Sequence, residues 1–178
     1  GLLVDTKCVG LDVFLVVEVW FANKLPLKWG RSGLGCWQEK KKNLPDGIAS
    51  LIKDVDQAGV KFGIWVEPEM VNPKSELYEK HPDWVIKQPQ RDEYYFRNQL
   101  VLDLSNPRVQ DFVFGVVDSL FIKNPGLAYI KWDCNAVIYN AYSAHLKNQS
   151  HFYIEYLPGL YKVGERVRAK SPLGPRMP

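Results

Sequence analysis

Apolar residues fall along this chain in two kinds of run, one unbroken and short, the other spaced by threes and fours. Val13 to Phe21 is an almost unbroken β-branched and aromatic run of strand length. Val60 to Val66 is a second, and Leu127 to Ile130, opened by Pro125-Gly126, begins a third. These runs predict strands near 12–21, 60–67 and 127–133. Helical spacing appears in Ile48, Leu51, Ile52 and Val55, closed by Gly59. It returns in Val109, Phe112, Val113, Val116, Val117 and Leu120, after Asn106 as N-cap and Pro107 at the first helical position. The predicted helices run over 46–58, 107–122 and 149–170. Pro158-Gly159 is expected to kink or split the last one. Asp5 to Val9 reads as the end of an incoming helix.

The connections are uneven. Asn23 to Asn43 is a long loop carrying Trp29 and Trp37, which a disordered linker would seldom hold. Pro73 to Lys80 reads as a short helix closed by His81-Pro82. Trp84 to Asn98 is an irregular charged excursion, and Gln99 to Leu104 a short extended piece. Pro68 is expected to stop sheet pairing after the second strand.

Alternating strands and helices imply an α/β fold with a parallel sheet. Polar groups recur at the C-terminal ends of all three strands: Glu18, then Glu67 with Glu69, then Lys131 with Asp133. Barrels place their chemistry there, so the pattern predicts part of a (β/α)8 TIM barrel, about three parallel βα units in one segment over 1–178. A doubly wound sheet is the structural alternative, but no glycine-rich phosphate loop follows any strand.

Composition narrows the function. The 178 residues suffice for one domain but fall short of a whole eight-fold barrel, which takes about 250. A net charge of +3, with scattered basic residues, argues against a nucleic-acid partner. There is no membrane-length apolar run and no signal peptide, and Leu11 to Trp20 is too short to span a bilayer. Cytoplasmic and secreted placements both remain open. Cys8, Cys36 and Cys134 have no metal-ligand spacing, and His81, His145 and His151 lack the pairing that binds a metal on a helix. Neither a cofactor nor a metal is expected.

The third strand end is the chemical focus. Side chains alternate along an extended chain, so Lys131, Asp133 and Asn135 fall on one side. Lysine would hold the aspartate ionised, and an ionised carboxylate can act as a nucleophile. A salt-bridged strand end with a capping Asn is the alternative. Glu67 and Glu69 could be posed as a local acid pair, but surface carboxylates are more commonly structural or supporting than catalytic, and Cys134 is expected to be a packed thiol.

Four segments carry a resemblance: Lys61 to Val71, His81 to Trp84, Arg97 to Leu104 and Tyr129 to Asn135. In that order and spacing they resemble the family 36 glycoside hydrolases, the melibiase-type α-galactosidases, from about residue 8 to about 170. The resemblance implies a (β/α)8 barrel that hydrolyses terminal α-galactosides, in galactose-containing oligosaccharides, with retention. Asp133 matches the nucleophile. Lys131, Trp65 and Arg97 match residues of the galactose pocket, with Asn135 and Glu18 carried over more loosely. Such a pocket suits these types: tryptophan offers an apolar face to sugar C–H groups, and Lys and Arg donate to hydroxyls.

The departures matter as much. The family places two aspartates and a glycine before the tryptophan of an early strand. Here Val17, Glu18 and Val19 precede Trp20, so a hydroxyl-binding carboxylate is missing at Val17. The family's Gly-Asp-Trp reads Gly35-Cys36-Trp37, and an expected arginine is replaced around Leu27. The acid/base aspartate is expected beyond Pro178, so these residues alone are expected to leave natural galactosides unhydrolysed. A non-catalytic remnant with weak or no sugar binding is the alternative. An arc of a barrel also leaves sheet edges open to self-association.

Overall fold

The computed structural model describes residues 10–21, 33–135 and 137–170. Three strands, β1 (Val13–Val16), β2 (Lys61–Val66) and β5 (Leu127–Trp132), form one parallel sheet in the order β1-β2-β5. Val13 pairs with Lys61, and Trp65 with Lys131. Each strand is followed by a helix: α1 (Gly47–Gln57), α3 (Pro107–Lys123) and α4 (Phe152–Lys170). This is the connectivity of successive βα units in an arc of a barrel. Between β2 and α3 lie the short helix α2 (Glu76–Lys80) and a small antiparallel pair, β3 (Met70–Val71) with β4 (Leu100–Val101). Pro68 therefore ends the parallel sheet but not all pairing.

The first strand is shorter than its apolar run predicts. It stops at Val16, and Glu18–Trp20 turns into a single 3-10 turn before Phe21 makes an antiparallel bridge to Glu39. Trp20 and Phe21 are both fully buried. Both join the core cluster that holds Ile64, Trp65 and Val66 of β2, and the Trp20 indole N–H donates to the Trp65 carbonyl at 2.9 Å.

The other elements follow their local signals closely. Ile48, Ile52 and Val55 bury the inner face of α1, and Gly59 closes it in the left-handed conformation at φ 73°. On α2, the Ser75 hydroxyl caps the Tyr78 amide. The Asn106 side chain accepts from the Arg108 amide to cap α3. Val109, Val113, Val116, Val117 and Leu120 are buried beneath that helix, Phe112 is half-buried, and Gln110 replaces it in the interior.

Of the kink or split expected at Pro158, the split does not occur, because helix α4 runs without a break from Phe152 to Lys170. Tertiary contact outweighs the amide hydrogen bond that proline removes. Gly159 lies against the Leu104 carbonyl so closely that a Cβ would sit 1.9 Å from that oxygen. Ion pairs Arg166–Asp111 (2.8 Å) and Lys170–Asp118 (2.6 Å) tie the rest of the helix to α3. No described helix is long and apolar enough to cross a membrane. The expected helix over Asp5–Val9, the region around Leu27 and Trp29, and the tail after Lys170 lie outside the described residues.

Candidate active site

The parallel sheet delivers its polar residues to one end. Strand pairing continues one step beyond β5, where the Asp133 amide donates to the Val66 carbonyl at 2.9 Å. That bond fixes the Asp133 backbone beside the end of β2. Its carboxylate Oδ2 accepts the Trp65 indole Nε1–H at 3.0 Å and lies 3.9 Å from Lys131 Nζ. The Asn135 amide and the Arg97 charge also act on it, in the direction that favours the ionised form. Led by the Trp65 hydrogen bond, these groups hold the Asp133 carboxyl below the usual range, so it is ionised at neutral pH. Its side chain is 27% exposed, so a ligand can reach it.

Arg97 arrives by a different route. Phe96 and Gln99 exchange both backbone hydrogen bonds, at 3.1 and 2.9 Å. The two residues between them, Arg97 and Asn98, have φ of 53° and 61°. Such a two-residue turn normally calls for Asn or Gly, and an arginine there is strained. Fully buried Asn72, next to β3, restrains the turn by donating to the Asn98 carbonyl at 2.8 Å while accepting from the Leu34 amide at 2.7 Å.

Of the six residues expected at the site, Trp65, Lys131 and Asp133 meet at one carboxylate, and Arg97 and Asn135 act on it electrostatically. Glu18 is exposed on the 3-10 turn, and its charge reaches the group through Glu67. Trp65 takes part differently from a sugar-facing ring. It is 4% exposed, with its ring stacked 6.0 Å from Phe21 and tilted 6.4 Å from Trp37. What it presents to the site is its N–H. Cys134, expected to be a packed thiol, is exposed because the chain has left the sheet by that point.

Glu67 and Glu69, expected in structural or supporting roles, follow β2 directly. Both are buried, 4% and 3% exposed, immediately after β2. Burial, reinforced by the charge of Asp133, pushes the Glu67 carboxyl up to about 7. Burial pushes Glu69 up to about 8, although its Oε2 accepts the Trp132 indole N–H at 2.6 Å. Glu69 Oε1 is buried without a hydrogen-bond partner. The available signal was positional: two carboxyls directly after a fully buried strand. Among the described residues, no group of three or more His, Cys, Asp or Glu could hold a metal ion.

This chain is similar to known proteins along almost its whole length. The melibiase family model matches residues 1–173. A probable α-galactosidase C of Aspergillus flavus is 35% identical over 175 residues, 94% of this chain and 22% of the relative. The α-galactosidase AgaA of Geobacillus stearothermophilus is 36% identical over 166 residues, 92% of this chain and 22% of that enzyme. The crystal structure of that family 36 enzyme superposes with a TM-score of 0.89 at 33% identity, covering 97% of this chain and 24% of its own. A variant of it has been solved with raffinose, with the same score, identity and coverage. The chain therefore spans about a fifth to a quarter of the relatives it matches. With its parallel sheet, its strand-end carboxylate and a family match running almost from end to end, this chain belongs to the melibiase family.

Proposed function

We propose that this chain carries the nucleophile-bearing part of an α-galactosidase that hydrolyses terminal α-galactosides with retention. The observation that carries the reading is the Asp133 carboxylate, held ionised by the Trp65 N–H and Lys131 at a solvent-reachable strand end. In a retaining reaction such a carboxylate attacks the anomeric carbon and forms a covalent galactosyl ester, which water then hydrolyses. Lys131 and Arg97 donate to sugar hydroxyls, and Asn135 and Glu18 border the same pocket. The substrates are galactose-containing oligosaccharides, the class to which raffinose belongs. By family resemblance the proton for the leaving oxygen comes from another barrel strand, so none of the present carboxyls is given that role.

The test uses 5-fluoro-α-galactosyl fluoride, whose fluoride leaves without a proton from the protein. Asp133 Oδ attacks the anomeric carbon, the C–F bond breaks, and the ester accumulates. Peptide mass spectrometry is expected to find the added sugar on Asp133, and Asp133→Asn to abolish it. A label on any other carboxyl overturns the assignment.

A further inference from the structure

The ends of β2 and β5 are joined by two indole-to-carboxyl hydrogen bonds that run in opposite directions. Trp65 of β2 donates to Asp133, the residue after β5, at 3.0 Å. Trp132, the last residue of β5, donates to Glu69, which follows β2, at 2.6 Å. Only the first bond touches the candidate nucleophile. The second acts on the same strand end from behind. Successive side chains of a strand point to opposite faces, so Trp132 leaves β5 on the face opposite Lys131 and Asp133. Trp65, paired with Lys131, shares the site face. The end of β5 is therefore held on both faces.

Regular structure gives this end little other support. The Asp133 amide bonds the Val66 carbonyl, and beyond it no described residue is in a helix or strand until Gln149. The Trp132 ring is half-buried against the two hydrophobic clusters of the core, and the bond to Glu69 fixes which way its N–H points. Glu69 is itself well anchored. It is 3% exposed, its carbonyl accepts from the Leu102 amide at 2.8 Å, and Met70 beside it pairs with Val101. Its second oxygen, Oε1, is buried with no hydrogen-bond partner. An unpartnered buried oxygen is destabilising, so stability alone does not account for a carboxyl at this position.

We propose that Glu69 is a positioning residue: by holding the Trp132 N–H behind β5, it fixes the strand end from which the Asp133 carboxylate meets Trp65 and the sugar. The inference rests on the reading of Asp133 as nucleophile and adds a residue that the reading does not use.

The deciding measurement is proton–nitrogen NMR of the chain labelled at its tryptophans, with the two indoles assigned from Trp65→Phe and Trp132→Phe. Glu69→Leu removes the acceptor, and Glu69→Gln keeps a carbonyl oxygen for it. In Glu69→Leu the Trp132 N–H is expected to exchange faster with solvent. The Trp65 N–H, whose own partner is intact, is expected to follow by about tenfold. Glu69→Gln is expected to restore both. A Trp65 N–H that exchanges at the parent rate in Glu69→Leu overturns the proposal, since Glu69 then serves Trp132 alone. Where Glu69→Leu does not fold, Trp132→Phe removes the donor instead of the acceptor and is read in the same way.

The fluoride trap adds a functional arm. Labelling of Asp133 is expected to slow by about ten- to a hundredfold in Glu69→Leu and Trp132→Phe, in maximal rate rather than in reagent affinity, and to recover in Glu69→Gln. Asn106→Ala removes the cap of α3 and lowers stability without touching either indole, so it is expected to leave labelling unchanged. Equal slowing in Asn106→Ala would mark a general loss of structure and overturn the proposal. Should the trap leave Asp133 unlabelled in the unaltered chain, the nucleophile reading fails, and the indole exchange still decides the role of Glu69.

Discussion

Trp65 and Asp133, 68 residues apart in the chain, are joined by one hydrogen bond of 3.0 Å from the indole N–H to Oδ2. Lys131 approaches the same oxygen at 3.9 Å, with side-chain exposures of 47% and 27% across that pair. A hydrogen bond to a charged group is worth about 1.5–3 kcal/mol. A solvent-exposed ion pair is worth about 0–1 kcal/mol. The indole is therefore the stronger support for the ionised carboxylate.

This ranking leads to a first prediction. Trp65→Phe keeps an aromatic ring in the Phe21 and Trp37 cluster but removes the donor. Lys131→Met removes only the cation. Both variants are expected to move the Asp133 carboxyl back toward its ordinary value, and Trp65→Phe to move it further. Carboxyl NMR titration measures both. A larger effect from Lys131→Met would reverse the ranking.

A second prediction concerns Glu69 and stability. Its carboxyl sits at about 8 in the folded protein against an ordinary value of 4.5. Above pH 4.5 the unfolded chain has lost a proton that the folded chain still holds, so rising pH favours unfolding. The stability contribution is complete below about 4.5 and is lost as pH climbs to about 8. One such proton changes stability by about 1.4 kcal/mol per pH unit inside that window. Glu69→Gln keeps a carbonyl oxygen for the Trp132 N–H and cannot ionise. Urea unfolding at a series of pH values is expected to show a shallower decline in the variant, the remaining slope belonging to Glu67. Equal slopes in variant and parent would show that Glu69 does not hold the proton.

Two glycines in helices should respond to alanine in opposite directions. At Gly159 the new methyl group would meet the Leu104 carbonyl at 1.9 Å, a backbone atom that cannot swing away. Gly159→Ala is expected to destabilise by about 3 kcal/mol or more, the upper end of overpacking costs. At Gly115, inside α3, a Cβ meets nothing within 4 Å. Gly115→Ala is expected to stabilise by about 0.5–1 kcal/mol through helix propensity alone. Denaturant midpoints compare the pair, and a tolerated Gly159→Ala would show that α4 can lift away from Leu104.

Val17 supplies a prediction about recognition. It is 46% exposed in extended backbone, φ −99°, where the family resemblance implies a hydroxyl-binding aspartate. Restoring a charged acceptor for a sugar hydroxyl is worth about 1–3 kcal/mol, roughly a tenfold to hundredfold gain in affinity. Val17→Asp is expected to tighten binding of 1-deoxygalactonojirimycin by that amount in calorimetric titration. Unchanged affinity would separate this position from sugar recognition.

The amino-acid sequence by itself determined the β-α order, the polar strand ends, the cap at Asn106-Pro107 and the left-handed close at Gly59. Each depends on periodicity or on neighbours within a few residues, and such signals survive whatever the rest of the chain does. Its family motifs carry Asp133, Lys131, Trp65 and Arg97 in the linear chain itself. Tertiary structure decided where β1 stops, because the chain turns there to pack Trp20 and Phe21 against β2. It also decided that α4 runs through Pro158, because Gly159 lies against Leu104. Above all it brought buried Glu67 beside Asp133 and turned the Trp65 ring inward, leaving its N–H for the carboxylate. These outcomes depend on residues far apart in sequence. The desolvation that holds a proton on Glu67 exists only once the strand ends have closed around it.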